Sequence, residues 1–92
     1  WIMNYKSQKL KVSCRIGNRH ATNLANEANK LDSEIRLCRD GENERRINMK
    51  SILGLLSLNI LPCEKVNVMT SNINDEQAKE DLEKMVYFLK NM

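Results

Sequence analysis

The sequence predicts an α+β domain: a four-stranded antiparallel sheet with three helices on one face, in the order β-α-β-β-α-β-α. Two patterns predict it. Four short segments alternate apolar and polar residues, the period of a half-buried strand. Three longer segments repeat apolar residues every three or four positions, the period of a half-buried helix. Because all four strands carry one apolar and one polar face, an antiparallel sheet with helices packed on a single side is favoured.

Leu10, Val12 and Cys14 alternate with Lys9, Lys11 and Ser13 and define the first strand. Ala21, Leu24, Ala25, Ala28 and Leu31 fall on one face of the first helix, which Asp32-Ser33 ends. Ile35 and Leu37 flank Arg36 in the second strand. Asp40-Gly41 is a turn signal, although the polar stretch to Arg46 is longer than a two-residue hairpin needs. Ile47 and Met49 suggest the third strand. Ser51 then caps a short, very apolar helix through Ile52, Leu53, Leu55, Leu56 and Leu58, with Pro62 as its stop. Val66 and Val68 form the fourth strand. Asn74, with Gln77 three residues on, resembles a capping box for a third helix along Ala78, Leu82, Met85, Val86 and Leu89.

At 92 residues the chain fits one domain, read as 1–92 with a core over about 8–90. A chain of this size buries roughly 65% of its unfolded surface. Hydrophobic residues at 41% and charged ones at 29% support folding rather than disorder. The longest apolar run, Ile52 to Leu61, falls short of the ~18 residues of a membrane span and is broken by Gly54, Ser57 and Asn59. The first residues do not read as a signal peptide, and Met3 is a candidate natural start. Net charge is +3, distributed as +5 over residues 1–70 and −2 over 71–92. A mild basic excess suits an acidic protein surface, a phosphorylated partner or a nucleic acid. The aromatics are only Trp1, Tyr5, Tyr87 and Phe88, which counts against base stacking and hence against a nucleic-acid module. Cys14, Cys38 and Cys63 have no Cys-x-x-Cys spacing, and one His adds little, so no metal site is expected. They read as small apolar residues of a reduced, cytoplasmic protein.

One motif carries a resemblance. Lys50-Ser51-Ile52-Leu53-Gly54-Leu55-Leu56-Ser57-Leu58 resembles the Lys-Ser-Ile-Met-Gly-Val-Met-Ser-Leu segment of HPr, the histidine-containing phosphocarrier of the bacterial sugar phosphotransferase system. The similarity is colinear over about residues 8–90. Ala21-Thr22 and Ala28-Asn29-Lys30-Leu31 fit that family's first helix, and Asp75-Glu76 and Leu82-Glu83 fit its third. The resemblance implies an open-faced β-sandwich with strand order 1-4-2-3 and three helices on one face.

The family's active-site pattern is Gly-x-His-Ala-Arg-Pro-Ala, and here the stretch reads Gly17-Asn18-Arg19-His20-Ala21-Thr22-Asn23. Matching His-Ala to His20-Ala21 puts Thr22 at the Arg position and Asn23 at the Pro position. Matching the five apolar positions of the helix instead puts Arg19 at the Arg position, His20 at the Pro position and Gly17 at the phosphoacceptor position. The helix register has more residues behind it.

Two phosphate acceptors follow from the resemblance. His20, with Arg19 beside it, sits in the first turn of a helix whose free N–H groups and dipole favour a phosphate. Ser51 matches the serine that a dedicated ATP-using kinase phosphorylates in many Gram-positive relatives, and it is equally a plain N-cap. Ile52, Leu53 and Leu56 are the expected partner-docking residues, with Lys50 and Arg19 as a charged rim. Arg36, Arg39, Arg45 and Arg46 read as a solvated sheet edge and hairpin. The expectation is an HPr-like phosphocarrier or regulator, a phosphorylated intermediate with no bound cofactor. Its partners would be phosphotransferase-system proteins, namely the first enzyme and the sugar-specific components, and a seryl kinase or transcription regulator. The alternatives are a regulatory paralogue that keeps the Ser51 switch without a His relay, and a small interaction domain with no phosphotransfer.

Overall fold

Seven elements follow in the expected order: β1 (Lys6–Lys11), α1 (Asn18–Asn29), β2 (Glu34–Arg39), β3 (Ile47–Asn48), α2 (Ile52–Leu58), β4 (Lys65–Ser71) and α3 (Asp75–Lys90). The computed structural model describes residues 4–92, so the candidate start at Met3 lies outside the described residues. The strands form one sheet in the order β1-β4-β2-β3, with every neighbouring pair antiparallel. Both expectations, α+β class and strand order, hold. Among the described residues no helix is long and apolar enough to cross a membrane.

The register explains the core. β4 pairs with β1 so that Leu10 meets Val66, and with β2 so that Leu37 meets Val68 and Ile35 meets Thr70. The apolar side chains among these, Leu10, Ile35, Leu37, Val66 and Val68, join Ala21, Leu24, Ala25 and Ala28 of α1, Leu55 and Leu58 of α2, and Leu82, Met85, Val86 and Leu89 of α3 in one buried cluster. Thr70 Oγ1 satisfies itself there by donating to the Ala78 carbonyl at 2.7 Å. The apolar periods named these core positions because burial follows the period of each element.

Several expectations are corrected. β1 starts at Lys6 and ends at Lys11, before Val12 and Cys14. Val12 still exchanges backbone hydrogen bonds, but with the turn at Cys63 and Glu64. β3 is only two residues long, although the N–H of Met49 reaches the Ile35 carbonyl just beyond it. Pro62 does not stop α2. The helix ends at Leu58 because Asn59 turns left-handed at φ 50°, a conformation asparagine tolerates. The capping box of α3 is half formed. Asn74 accepts from the N–H groups of Glu76 and Gln77, but the Gln77 side chain turns to Asp81.

β4 lacks the expected polar face. Asn67, Met69 and Ser71 point away from the helices and are buried as well. β4 is central, and on its outer side the register sets Asn67 beside Cys38 of β2. There Asn43 Oδ1 accepts from the Cys38 thiol at 3.7 Å, and the Arg46 guanidinium lies 5.5 Å from the Tyr5 ring centroid. The basic residues of this edge are therefore not simply solvated. Arg39 grips Glu64 at 2.8 Å and also donates to the carbonyls of Leu58 and Asn59. It ties the end of α2 to the entry of β4. Arg36 is paired with Glu34 on its own strand.

Candidate functional site

α1 begins where the chain leaves the core at Ile16, whose N–H donates to the Ile60 carbonyl. Gly17 is its N-cap in extended conformation, and the Gly17 carbonyl accepts the first helical bond from Ala21 at 2.8 Å. The buried face of α1 is Ala21, Leu24, Ala25 and Ala28, the register in which Gly17 stands at the acceptor position of the resemblance. Glycine offers no side chain to receive a phosphate. Arg19 is exposed in the first turn, which holds no acidic residue.

His20 lies on a different flank from the one that meets α2. At 100° per residue, Asn18, Thr22, Ala25 and Asn29 share one flank of α1. Asn29 shows what that flank faces: its amide donates to the Lys50 carbonyl at 3.0 Å, at the entry to α2. His20 and Glu27 share another flank. With Leu24 they line a cleft of about 380 Å³ whose far wall is Phe88, Asn91 and Met92 at the end of α3. The imidazole Nε2 is 3.5 Å from the Cys14 sulfur. The helical phase of α1 thus places His20 on the cleft that it shares with the end of α3.

Ser51 is the N-cap of α2, as expected, and its Oγ accepts from the Gly54 N–H at 3.1 Å. A Cβ at position 54 would stand 3.3 Å from the Asn48 carbonyl oxygen and 3.4 Å from Ser51 Oγ. Glycine there keeps room for the hydroxyl over the helix start. Beside it the apolar surface splits. Leu53 is 79% exposed and Ile52 39%, whereas Leu56 packs half-buried against the core. Lys50 is not a free rim cation. Its ammonium donates to the Leu31 carbonyl at 2.9 Å, just past the end of α1. Lys50 and Asn29 together join the end of α1 to the start of α2.

Sequence reasoning missed two further groups. Asp81 is fully buried and accepts from the Ser33 N–H at 3.1 Å and from Gln77 Nε2 at 2.9 Å. Its signal was available, since it follows Ala78 by three positions on an apolar helix face. The Arg39–Glu64 pair had no signal, because 25 positions separate the two residues. Arg39 holds the Glu64 carboxyl below the usual carboxylate range, helped by the Leu61 N–H. The Cys38 thiol is pushed up, chiefly by burial.

Comparison with known proteins decides the family. Residues 6–88 match the family model described as the PTS HPr component phosphorylation site. The chain belongs to the HPr family. Among HPr relatives, the HPr-like protein Crh of Halalkalibacterium halodurans is 34% identical over 77 residues, 84% of this chain and 88% of that protein. The crystal structure of phosphocarrier protein HPr from Bacillus anthracis superposes with a TM-score of 0.79 at 27% identity, covering 94% of this chain and 98% of that one. The solution structure of Crh, the Bacillus subtilis catabolite repression HPr, gives 0.64 at 29% identity, covering 95% and 99%. Membership places the chain among HPr-like phosphocarriers and Crh-like regulators of the phosphotransferase system, a family whose members interact with proteins of that system.

Proposed function

We propose that this chain is the regulatory kind of HPr-family protein, switched by phosphorylation of Ser51 and acting by docking onto a partner protein. The observation that carries this reading is the position of α1. Its N-cap is Gly17, without a nucleophile, and its one His faces α3 instead of the α2 surface. Ser51, by contrast, stands at a helix start with Ile52 and Leu53 exposed beside it. A seryl kinase would transfer the γ-phosphoryl group of ATP to Ser51 Oγ, releasing ADP. The phosphate adds about two negative charges at a helix N-terminus, where the dipole favours them. No acidic residue of the first turn of α2 opposes them. The added charge alters the rim of the Ile52–Leu53 patch and so changes which partner it fits. The likeness to Crh, described as a catabolite repression HPr, points to a transcription regulator as that partner. A cytoplasmic, bacterial setting and a link to sugar transport accompany this reading.

Two labelling reactions test it. With seryl kinase and ATP, acid-stable phosphate is expected on the natural chain and not on Ser51→Ala. With the first enzyme of the system and phosphoenolpyruvate, acid-labile phosphate is not expected. Acid-labile label that disappears in His20→Ala would restore the carrier role and overturn the regulatory one. Leu53→Ser is expected to weaken partner binding while shifting stability by less than about 0.5 kcal/mol, because the side chain is exposed.

A further inference from the structure

The Ser51 switch leaves one reactive pair without a task. Cys14 is a free, partly exposed cysteine in the segment between β1 and α1. Its sulfur lies 3.5 Å from Nε2 of His20, in the first turn of α1. We propose that Cys14 is a modification site for small disulfides of the glutathione type, with His20 as its proton acceptor.

Only the thiolate attacks a disulfide, so a thiol needs a base and surroundings that tolerate negative sulfur. In the tautomer with its proton on Nδ1, His20 presents the Nε2 lone pair to the Cys14 thiol. The helix start favours a negative charge, and its first turn contributes Arg19 and no acid. Arg15, next to Cys14 in the chain, is exposed too. Glu27 is the acidic residue lining the cleft that His20 shares with Arg19. His20 carries the pair to the edge of that cleft, and Arg19 on its wall suits the carboxylates of a glutathione moiety. The other two cysteines differ. Cys38 is fully buried, and Cys63 is exposed at a turn with φ 69°.

The step balances without any further reactant. The Cys14 proton passes to His20 Nε2, and the Cys14 sulfur attacks one sulfur of the disulfide. The S–S bond breaks, a mixed disulfide forms at Cys14, and the leaving thiolate takes the proton back from the imidazolium. Cys14 is oxidised and the leaving half is reduced.

The test uses the full folded chain and glutathione disulfide at pH 7, with each cysteine followed by peptide mass spectrometry. Cys63 is the internal reference for an ordinary exposed thiol, and Cys38 reports loss of the fold. Cys14 is expected to form the mixed disulfide about tenfold faster than Cys63. In His20→Gln the Cys14 rate is expected to fall to the Cys63 level, with the Cys63 rate unchanged. Equal rates at Cys14 and Cys63 in the natural chain overturn the proposal. So does an undiminished Cys14 rate in His20→Gln. If Cys38 becomes reactive in that variant, His20→Asn replaces it under the same two criteria.

Discussion

Single residues hold this structure through partners that most helix or strand patterns would not ask for. Asp81 sits at a core position of α3, yet it is a carboxylate, and it satisfies itself by accepting from the Ser33 N–H across the junction of α1 and β2. Asp81→Ala removes that acceptor and strands a buried donor. The expected loss is about 1.5–3 kcal/mol, read as a shift in the urea midpoint with unchanged slope. Ser51 shows the opposite case, where one atom serves two purposes. Its hydroxyl caps α2 through the Gly54 N–H and is also the proposed phosphate acceptor. Ser51→Ala is therefore expected to cost about 1 kcal/mol of stability in addition to abolishing acid-stable labelling. Thermal melts of the unphosphorylated variant isolate the first effect from the second.

At the scale of elements, helix ends decide where the functional surfaces lie. α2 is highly apolar, and its apolar run continues through Ile60 and Leu61. The left-handed Asn59 ends the helix and sends Ile60 into the core, while Leu61 is left 48% exposed. Asn59→Ala is expected to destabilise the chain by about 1 kcal/mol, because a Cβ without a compensating amide strains this backbone. Asn59→Gly is expected to be neutral or slightly stabilising, and the pair of variants compared in denaturant checks the reason. α1 shows why phase matters as much as helicity. Its apolar positions are legible in the sequence, and they favour the register with Gly17 at the acceptor position over the one that matches His20-Ala21. The flank on which His20 lies has meaning only relative to a neighbouring element. Asn29, bonded to the entry of α2, supplies that reference.

For the whole molecule, ion pairs between distant elements make stability depend on acid. Arg39 lowers the Glu64 carboxyl pKa in the folded chain, and Lys9 lowers that of Asp40. At acid pH the folded chain thus binds fewer protons at these sites than the unfolded chain does. Their contribution is fully present above the unfolded carboxylate pKa of about 4 and is lost as pH falls through the lower folded value. Stability should fall as pH drops below about 4, and Glu64→Gln should flatten that fall. A pH series of urea melts on both chains checks it. An unchanged slope in Glu64→Gln would mean that Arg39 holds only the carbonyls of Leu58 and Asn59.

The sequence by itself determined the α+β class, the number and order of elements, nearly every helical core position and the Ser51 cap. These depend on the local period of apolar residues and on capping chemistry within three or four positions, so they are written along the chain. The motif at Lys50–Leu58 supplied the resemblance that membership later confirmed. The tertiary structure alone decided how far β4 is buried, because that depends on the two strands that flank it. It also decided that Lys50 binds the Leu31 carbonyl, that Arg39 clamps Glu64 and that His20 meets Cys14 and not the α2 patch. Each of these joins side chains to partners on other elements or loops, and the relative placement that brings them together comes from packing, which no local pattern records.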